Sequence, residues 1–179
     1  MTTDQVSTFL ALLAVVAELG AVALAVCLLV RLIRPATGWP RRVLASVGPV
    51  ALALAAAVAI VATLGSLYYS EVANFPPCRL CWYQRICMYP QAPILAIAAA
   101  RRDRSVRWYA LPLVFVGASI STWHILVERF PSLESGACHP TNPCSIIWVE
   151  KFGYLTIPAM ALSGFAAIGL LLARPRETT

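Results

Sequence analysis

The chain has 179 residues, of which 60% are hydrophobic and 12% charged, with a formal net charge of +6. A soluble domain carries about 25% charged and 45–50% apolar residues, so one core of this length cannot hide so much apolar surface from water, and lipid is the solvent that fits. The positive charge does not indicate nucleic acid, because the basic residues form short clusters between apolar runs, as membrane topology requires.

The first apolar run covers residues 7–30. It is longer than a signal-peptide core of 7–15 residues, Met1 to Gln5 hold no Lys or Arg, and no small-residue cleavage site precedes the basic stretch. A retained transmembrane helix is expected. Glu18 falls in mid-span, a costly position that calls for a partner on another helix or a subunit contact; the plainer reading of this helix is an anchor that sets topology. Pro35, Gly38 and Pro40 then mark residues 35–46 as a cytoplasmic linker. Four further runs follow at 47–69, 82–100, 108–127 and 153–173. Each approaches the roughly 20 helical residues that cross a hydrocarbon core of about 30 Å, and each must be helical, because a lipid-exposed strand leaves backbone groups unpaired. The run at 82–100 is interrupted by Pro90 and Pro93, which predict a kink.

The expected fold is therefore an all-α polytopic membrane protein. It comprises an additional N-terminal transmembrane helix (1–34), the linker, a four-helix transmembrane bundle (47–173) and a cytoplasmic tail (174–179).

Basic residues orient these spans. Arg31, Arg34, Arg41, Arg42, Arg101, Arg102, Arg104, Arg107, Arg174 and Arg176 fall on one side, whereas Arg79, Arg85, Arg129 and Lys151 flank the other. Ten against four places the first set in the cytoplasm and the loops 70–81 and 128–152 outside.

The six cysteines follow the same division. Cys78, Cys81, Cys138 and Cys144 belong to the outward loops, while Cys27 and Cys87 lie within spans and are expected to pack as small apolar residues. Disulfides persist outside the cytoplasm, so four thiols gathered there indicate redox chemistry or structural bridges. Cys78-Arg79-Leu80-Cys81 has a spacing shared by zinc, redox and iron–sulfur sites. Pro76 and Pro77 precede it and a helix follows, which puts Cys81 near a helix N-terminus where amide donors favour a thiolate. Arg85, one turn on, either stabilises that thiolate or an anionic reduced ligand, or snorkels to headgroups. Cys138 and Cys144 sit in a loop made irregular by Pro131, Gly136, Pro140 and Pro143. Their pairing is either an exchangeable disulfide in a mobile loop or a simple staple.

The stretch FPPCRLCWYQRICMYP at residues 75–90, together with FGYLTIP at 152–158, resembles the signature of the DsbB/BdbC family of disulfide-bond-formation membrane proteins, the second segment especially its Gram-positive branch. The likeness covers roughly residues 47–172 and leaves out the first helix. It implies a bacterial plasma-membrane enzyme with its cysteine loops outside the cytoplasm. That enzyme oxidises an extracytoplasmic DsbA/BdbD-like thioredoxin-fold protein and passes the electrons to a membrane quinone, menaquinone or ubiquinone, the relay from DsbA through DsbB to quinone that keeps a periplasm oxidising. The resemblance further implies that Cys78 and Cys81 form the pair beside the quinone, with Cys81 the thiolate facing the ring and Arg85 next to it. Cys78 would exchange with the second loop, Cys138 would meet the partner, and Cys144 would resolve the mixed disulfide. His124, near the outer end of the fourth span, is expected either to hydrogen-bond a quinone carbonyl or to satisfy a neighbouring helix. Trp82, Tyr83 and Tyr89 either line the quinone site or form an interfacial belt. His139 would stabilise a loop thiolate or be merely solvated, and Ile146, Ile147 and Trp148 would hold the loop at the membrane surface. Rival readings are zinc held by four thiolates, a relative of vitamin K epoxide reductase, and a scaffold stapled by two disulfides; no resident metal is expected.

Overall fold

The computed structural model describes residues 2–34, 36–134, 138 and 141–174. Helix α1 (Thr3–Ile33) opens on a capping box, in which the Thr2 hydroxyl accepts from the Gln5 amide and the Gln5 side chain accepts from the Thr2 amide. Its 31 residues reach about 46 Å, more than a bilayer core requires. Ser7, Ala11, Ala14, Ala21, Leu24 and Cys27 are buried along one stripe, whereas Phe9, Leu12, Val16, Leu19 and Val22 are exposed. An apolar exterior over a small-residue interior is the pattern of a helix that packs closely on one side and meets lipid on the other.

The linker expected at 35–46 is in fact largely helical. Helix α2 (Gly38–Val47) buries Pro40 and Leu44, one turn apart, and exposes Arg41 and Arg42. Gly38 and Pro40 are helix breakers by type, but they occupy the first turn, where an amide hydrogen has no intrahelical acceptor and a proline costs nothing. A short turn at Gly48–Val50 joins α2 to α3 (Ala51–Leu67), which ends in a π-helical turn at Tyr68–Val72.

The third span is two helices. Helix α4 (Arg79–Met88) and helix α5 (Gln91–Arg101) are separated at Tyr89 and Pro90. The kink belongs to Pro90; Pro93 falls in the first turn of α5, where it is tolerated. Helix α6 (Arg107–Arg129) crosses next. The segment expected to begin the last span instead forms a hairpin, with β1 (Glu150–Lys151) antiparallel to β2 (Leu155–Thr156) in the register Glu150 to Thr156. Phe152 and Gly153 turn it with φ of 56° and 76°; at Gly153 the backbone, not crowding, calls for glycine, since a Cβ there would meet nothing within 4 Å. Helix α7 (Ile157–Leu172) follows with Pro158 in its first turn.

Helix α7 is the axis of the molecule and packs against α1, α3 and α6, while α3 also packs on α5 and α6 on α4. Its Phe165 is wholly buried and lies against the backbone of α6 at Gly117, where an added Cβ would come within 2.2 Å of the ring. The apolar core contains both Cys27 and Cys87, as expected of small apolar residues. At one end of the bundle Arg104 Nη2 and Arg174 Nη2 both donate to the Gly48 carbonyl, at 3.1 and 3.3 Å, and Arg174 also donates to the Leu44 carbonyl. The connections rich in arginine thus meet at the end remote from the hairpin and α4 N-terminus. The chain is an all-α polytopic membrane protein. Among the described residues, three helical stretches, Thr3–Ile33, Gly38–Val72 and Arg104–Arg129, are long and apolar enough to cross a bilayer, and Ile157–Leu172 is a shorter apolar helix.

Candidate active site

Pro76 and Pro77 hold the chain extended up to Cys78, which is the N-cap of α4. An N-cap side chain is aimed at the orphan amides of the first turn, and here the Cys78 sulfur accepts from the Cys81 amide at 3.4 Å. The Cys78 and Cys81 sulfurs lie 3.1 Å apart, and both are free thiols. His124 of α6 closes the arrangement from the other side. Gln84 Nε2 donates to its Nδ1 at 3.0 Å, so the ring proton sits on Nε2, which points at the Cys144 carbonyl at 3.0 Å and the Cys78 sulfur at 3.7 Å. The hydrogen bond from Cys81 and the His124 ring together push the Cys78 thiol down to about 4, outweighing the opposing effect of burial.

This moves the thiolate from where helix position alone would put it. The reduced pair carries its charge on Cys78, and Cys81 keeps the shared proton as donor. The reason is local: Cys78 receives the hydrogen bond of the Cys81 thiol and faces the His124 ring, with the Cys81 amide adding a smaller contribution at the cap.

Cys138 and Cys144 are joined as a disulfide. Cys144 is 1% exposed and shares a buried cluster with Cys78, Leu80 and Val127, while Cys138 is half-buried at its edge. The Cys144 end of the loop is held, contrary to the expectation of a mobile loop that carries the second pair to the first. Glu134 accepts from the Cys144 amide at 2.5 Å and from the Ser145 hydroxyl at 2.7 Å. Asn142 donates to the Pro77 carbonyl at 3.2 Å, next to Cys78. Trp148 stacks on Phe75 of the first loop, 5.0 Å between ring centres, and so serves as a clasp between loops. His139, Gly136, Pro140 and Arg176 lie outside the described residues.

Arg85 is buried. Its Nη2 donates to the Ser66 carbonyl of α3 at 3.0 Å, and its guanidinium lies 5.2 Å from the Trp82 ring centre and 5.9 Å from that of Tyr89. Snorkelling to headgroups is therefore not its arrangement. Cys81, Gln84, Arg85 and Tyr89 line a cavity of about 350 Å³ whose other walls are mostly apolar residues of α1, α3 and α7, together with Phe75, Pro76, Pro77 and Trp148 of the two loops. Of Arg85, His124 and Trp82, the three residues expected to hold a quinone, only Arg85 reaches this cavity. Trp82 is on the outer face of α4, 52% exposed, and Tyr83 is exposed beside it, as an interfacial belt requires. His124 is turned toward the cysteines by Gln84, so it satisfies its neighbours and does not face the cavity.

Four thiolates around zinc are not what the chain presents, because Cys138 and Cys144 are bonded to one another; the compact set of donors at the motif is Cys78, Cys81 and His124, within 4.8 Å. Gln84, Ser66, Glu134 and Asn142 carry no expectation from sequence. Gln84 is the one with a signal, a second polar residue beside Arg85 inside an apolar span.

The family model described as disulfide bond formation protein DsbB matches residues 48–174. The chain belongs to the DsbB family. Disulfide bond formation protein C of Bacillus subtilis (strain 168) is 46% identical to it over 112 residues, 62% of this chain and 81% of that protein. Probable disulfide formation protein C of Bacillus cereus (strain ATCC 14579) is 43% identical over 121 residues, 67% of this chain and 87% of that protein. A probable disulfide formation protein of Coxiella burnetii (strain Dugway 5J108-111) is 47% identical over 106 residues, 58% of this chain and 72% of its own length. No solved structure matches. As a DsbB-family member the chain is a membrane thiol–disulfide oxidoreductase of disulfide-bond formation. Its match begins at Gly48, leaving α1 and α2 outside.

Proposed function

We propose that this chain draws electron pairs from an extracytoplasmic DsbA/BdbD-like thioredoxin-fold partner and delivers them, through its two cysteine pairs, to a membrane quinone. One observation carries the reading: the Cys78–Cys81 motif has two faces. Cys78 adjoins Cys144 under His124, and Cys81 adjoins Arg85 on the wall of an apolar cavity.

The cavity's chemistry fits menaquinone or ubiquinone. Its Ala, Val and Phe walls suit a flat ring and a prenyl tail, and the Arg85 guanidinium and Gln84 amide are the donors that quinone oxygens need. A quinone bound there supplies a two-electron, two-proton acceptor for a dithiol. The chain's own residues perform the exchanges. The partner thiolate attacks Cys138, the more accessible sulfur, and the Cys138–Cys144 bond breaks with Cys144 leaving as thiolate. The partner's second thiolate then displaces Cys138 and departs as a disulfide. Cys144 attacks Cys78 of the oxidised motif, Cys81 leaves, and Cys138 attacks Cys144 to restore the loop disulfide and release Cys78. Two electrons have moved from partner to motif. Cys78 is a good leaving group because its thiolate is held by the Cys81 hydrogen bond and the His124 ring. The loop disulfide can be uphill from its partner, at about 1.4 kcal/mol for every 30 mV, only if electrons are drawn onward.

Full-length protein in lipid with a quinone should oxidise a reduced thioredoxin-fold partner catalytically. Cys81→Ser and Cys138→Ser should each abolish turnover, and Arg85→Ala should slow quinone reduction more than loop exchange. Full turnover in Cys81→Ser would remove that residue from the quinone-facing position.

A further inference from the structure

Helix α1 precedes the family match, yet it is fitted to the rest of the molecule at specific points. Asp4 pairs with Lys151 of β1 at 2.5 Å. Glu18, the mid-span carboxylate, accepts from the Tyr154 hydroxyl at 2.9 Å and from the Ser163 hydroxyl of α7 at 2.7 Å. Between these pins Ala11 and Ala14 pack against Leu155 and Met160. A helix that only anchors or orients a chain needs no carboxylate in hydrocarbon, where it is costly; one that must sit at a fixed height and rotation does. Toward α3 the contact is a side-chain one, made by Leu10. A Cβ at Gly65 would come within 3.0 Å of Leu10, and Gly65 adjoins Ser66, whose carbonyl holds Arg85.

What this docking covers is the cavity beside Cys81. Helices α3, α4 and α7 supply three of its sides, the loop residues Phe75, Pro76, Pro77 and Trp148 also line it, and Leu10, Leu13, Ala14 and Ala17 of α1 supply the remaining helical wall. Without them the cleft between α3 and α7 would face lipid tails directly. Val16 of α1 and Val61 of α3 also line the cavity yet are exposed on the outer surface, which marks an exit for a prenyl tail between these two helices.

We propose that α1 is the fourth helical wall of the quinone-binding cavity, latched by Glu18, with Leu13 and Ala17 setting the space left for the ring and the start of its tail. The inference rests on the quinone reading given above. It makes α1 a specificity and retention element, closing a site that the family-matched core by itself leaves open to the bilayer.

The test uses the full chain in lipid nanodiscs and a prenylated azidobenzoquinone as photolabel, with labelled peptides mapped by mass spectrometry. Adducts are expected within residues 10–17 of α1 as well as in α4 and α7, all suppressed by unlabelled quinone. In equilibrium titrations Ala17→Leu, which fills the cavity, should weaken quinone binding about tenfold, while Leu12→Phe on the lipid face should leave it unchanged. Competed label in α4 and α7 with none in α1, or wild-type affinity in Ala17→Leu, would overturn the inference and leave the quinone reading standing. Absence of competed label anywhere in the wild type would overturn both. The labelling uses unsubstituted protein, so it decides the matter even if a variant fails to fold.

Discussion

Cys78 lies against Cys81 and His124, which favour its thiolate. A thiol lowered from near 9 to about 4 favours the reduced motif through its ionisation. That contribution is complete above pH 9, shrinks as the pH falls, and is gone below about 4, so acid makes the Cys78–Cys81 disulfide a weaker acceptor. Alkylation of Cys78 in the reduced protein should accordingly follow a midpoint near 4. His124→Ala removes a donor to the thiolate worth about 1.5–3 kcal/mol, which should raise that midpoint by roughly 1 to 2 on the pH scale; an unchanged midpoint would take His124 out of the account. The cysteines and Arg85 are legible in the sequence because their types are expensive or reactive where they stand. Gln84 shows only as a polar residue in an apolar span, and Glu134 and Asn142 not at all, since their roles arise from partners 40, 10 and 65 residues away and no spacing encodes such contacts. For the same reason Cys78 and Cys81 can be found but not ranked: the Cys81 thiol and His124, which comes from α6, decide which sulfur is anionic.

The helices are legible as apolar runs, and the differences fall at their joints. Residues 38–47 form an amphipathic helix because a first-turn proline is a start signal as readily as a stop. The last span begins late because Phe152 and Gly153 turn a hairpin first. Between elements, the contact of α6 with α7 depends on a missing side chain. Gly117→Ala would drive a methyl into the Phe165 ring and should destabilise the folded protein by about 1–3 kcal/mol in a detergent unfolding titration. Val116→Ala, on the exposed neighbouring position, should change it little; equal effects would mean that Phe165 has room to yield.

Across the whole molecule, the arginine-rich connections and the cysteines Cys78, Cys81, Cys138 and Cys144 occupy opposite ends of one bundle, in keeping with the charge pattern of the sequence. The Glu18 partner, by contrast, can be asked for from sequence but not named, because Tyr154 and Ser163 reach it only when α1 docks on α7 and the hairpin. The resulting architecture places a loop disulfide, a second cysteine pair and an apolar cavity in series, and electrons should traverse them in that order. The most direct check is to trap the redox state of Cys78, Cys81, Cys138 and Cys144 by rapid alkylation after adding a reduced thioredoxin-fold partner, with and without quinone. Without quinone, Cys78 and Cys81 should accumulate as thiols while Cys138–Cys144 re-forms, and quinone should return the motif to a disulfide. A motif that stays oxidised while the partner is consumed, or stays reduced after quinone is added, would contradict the account.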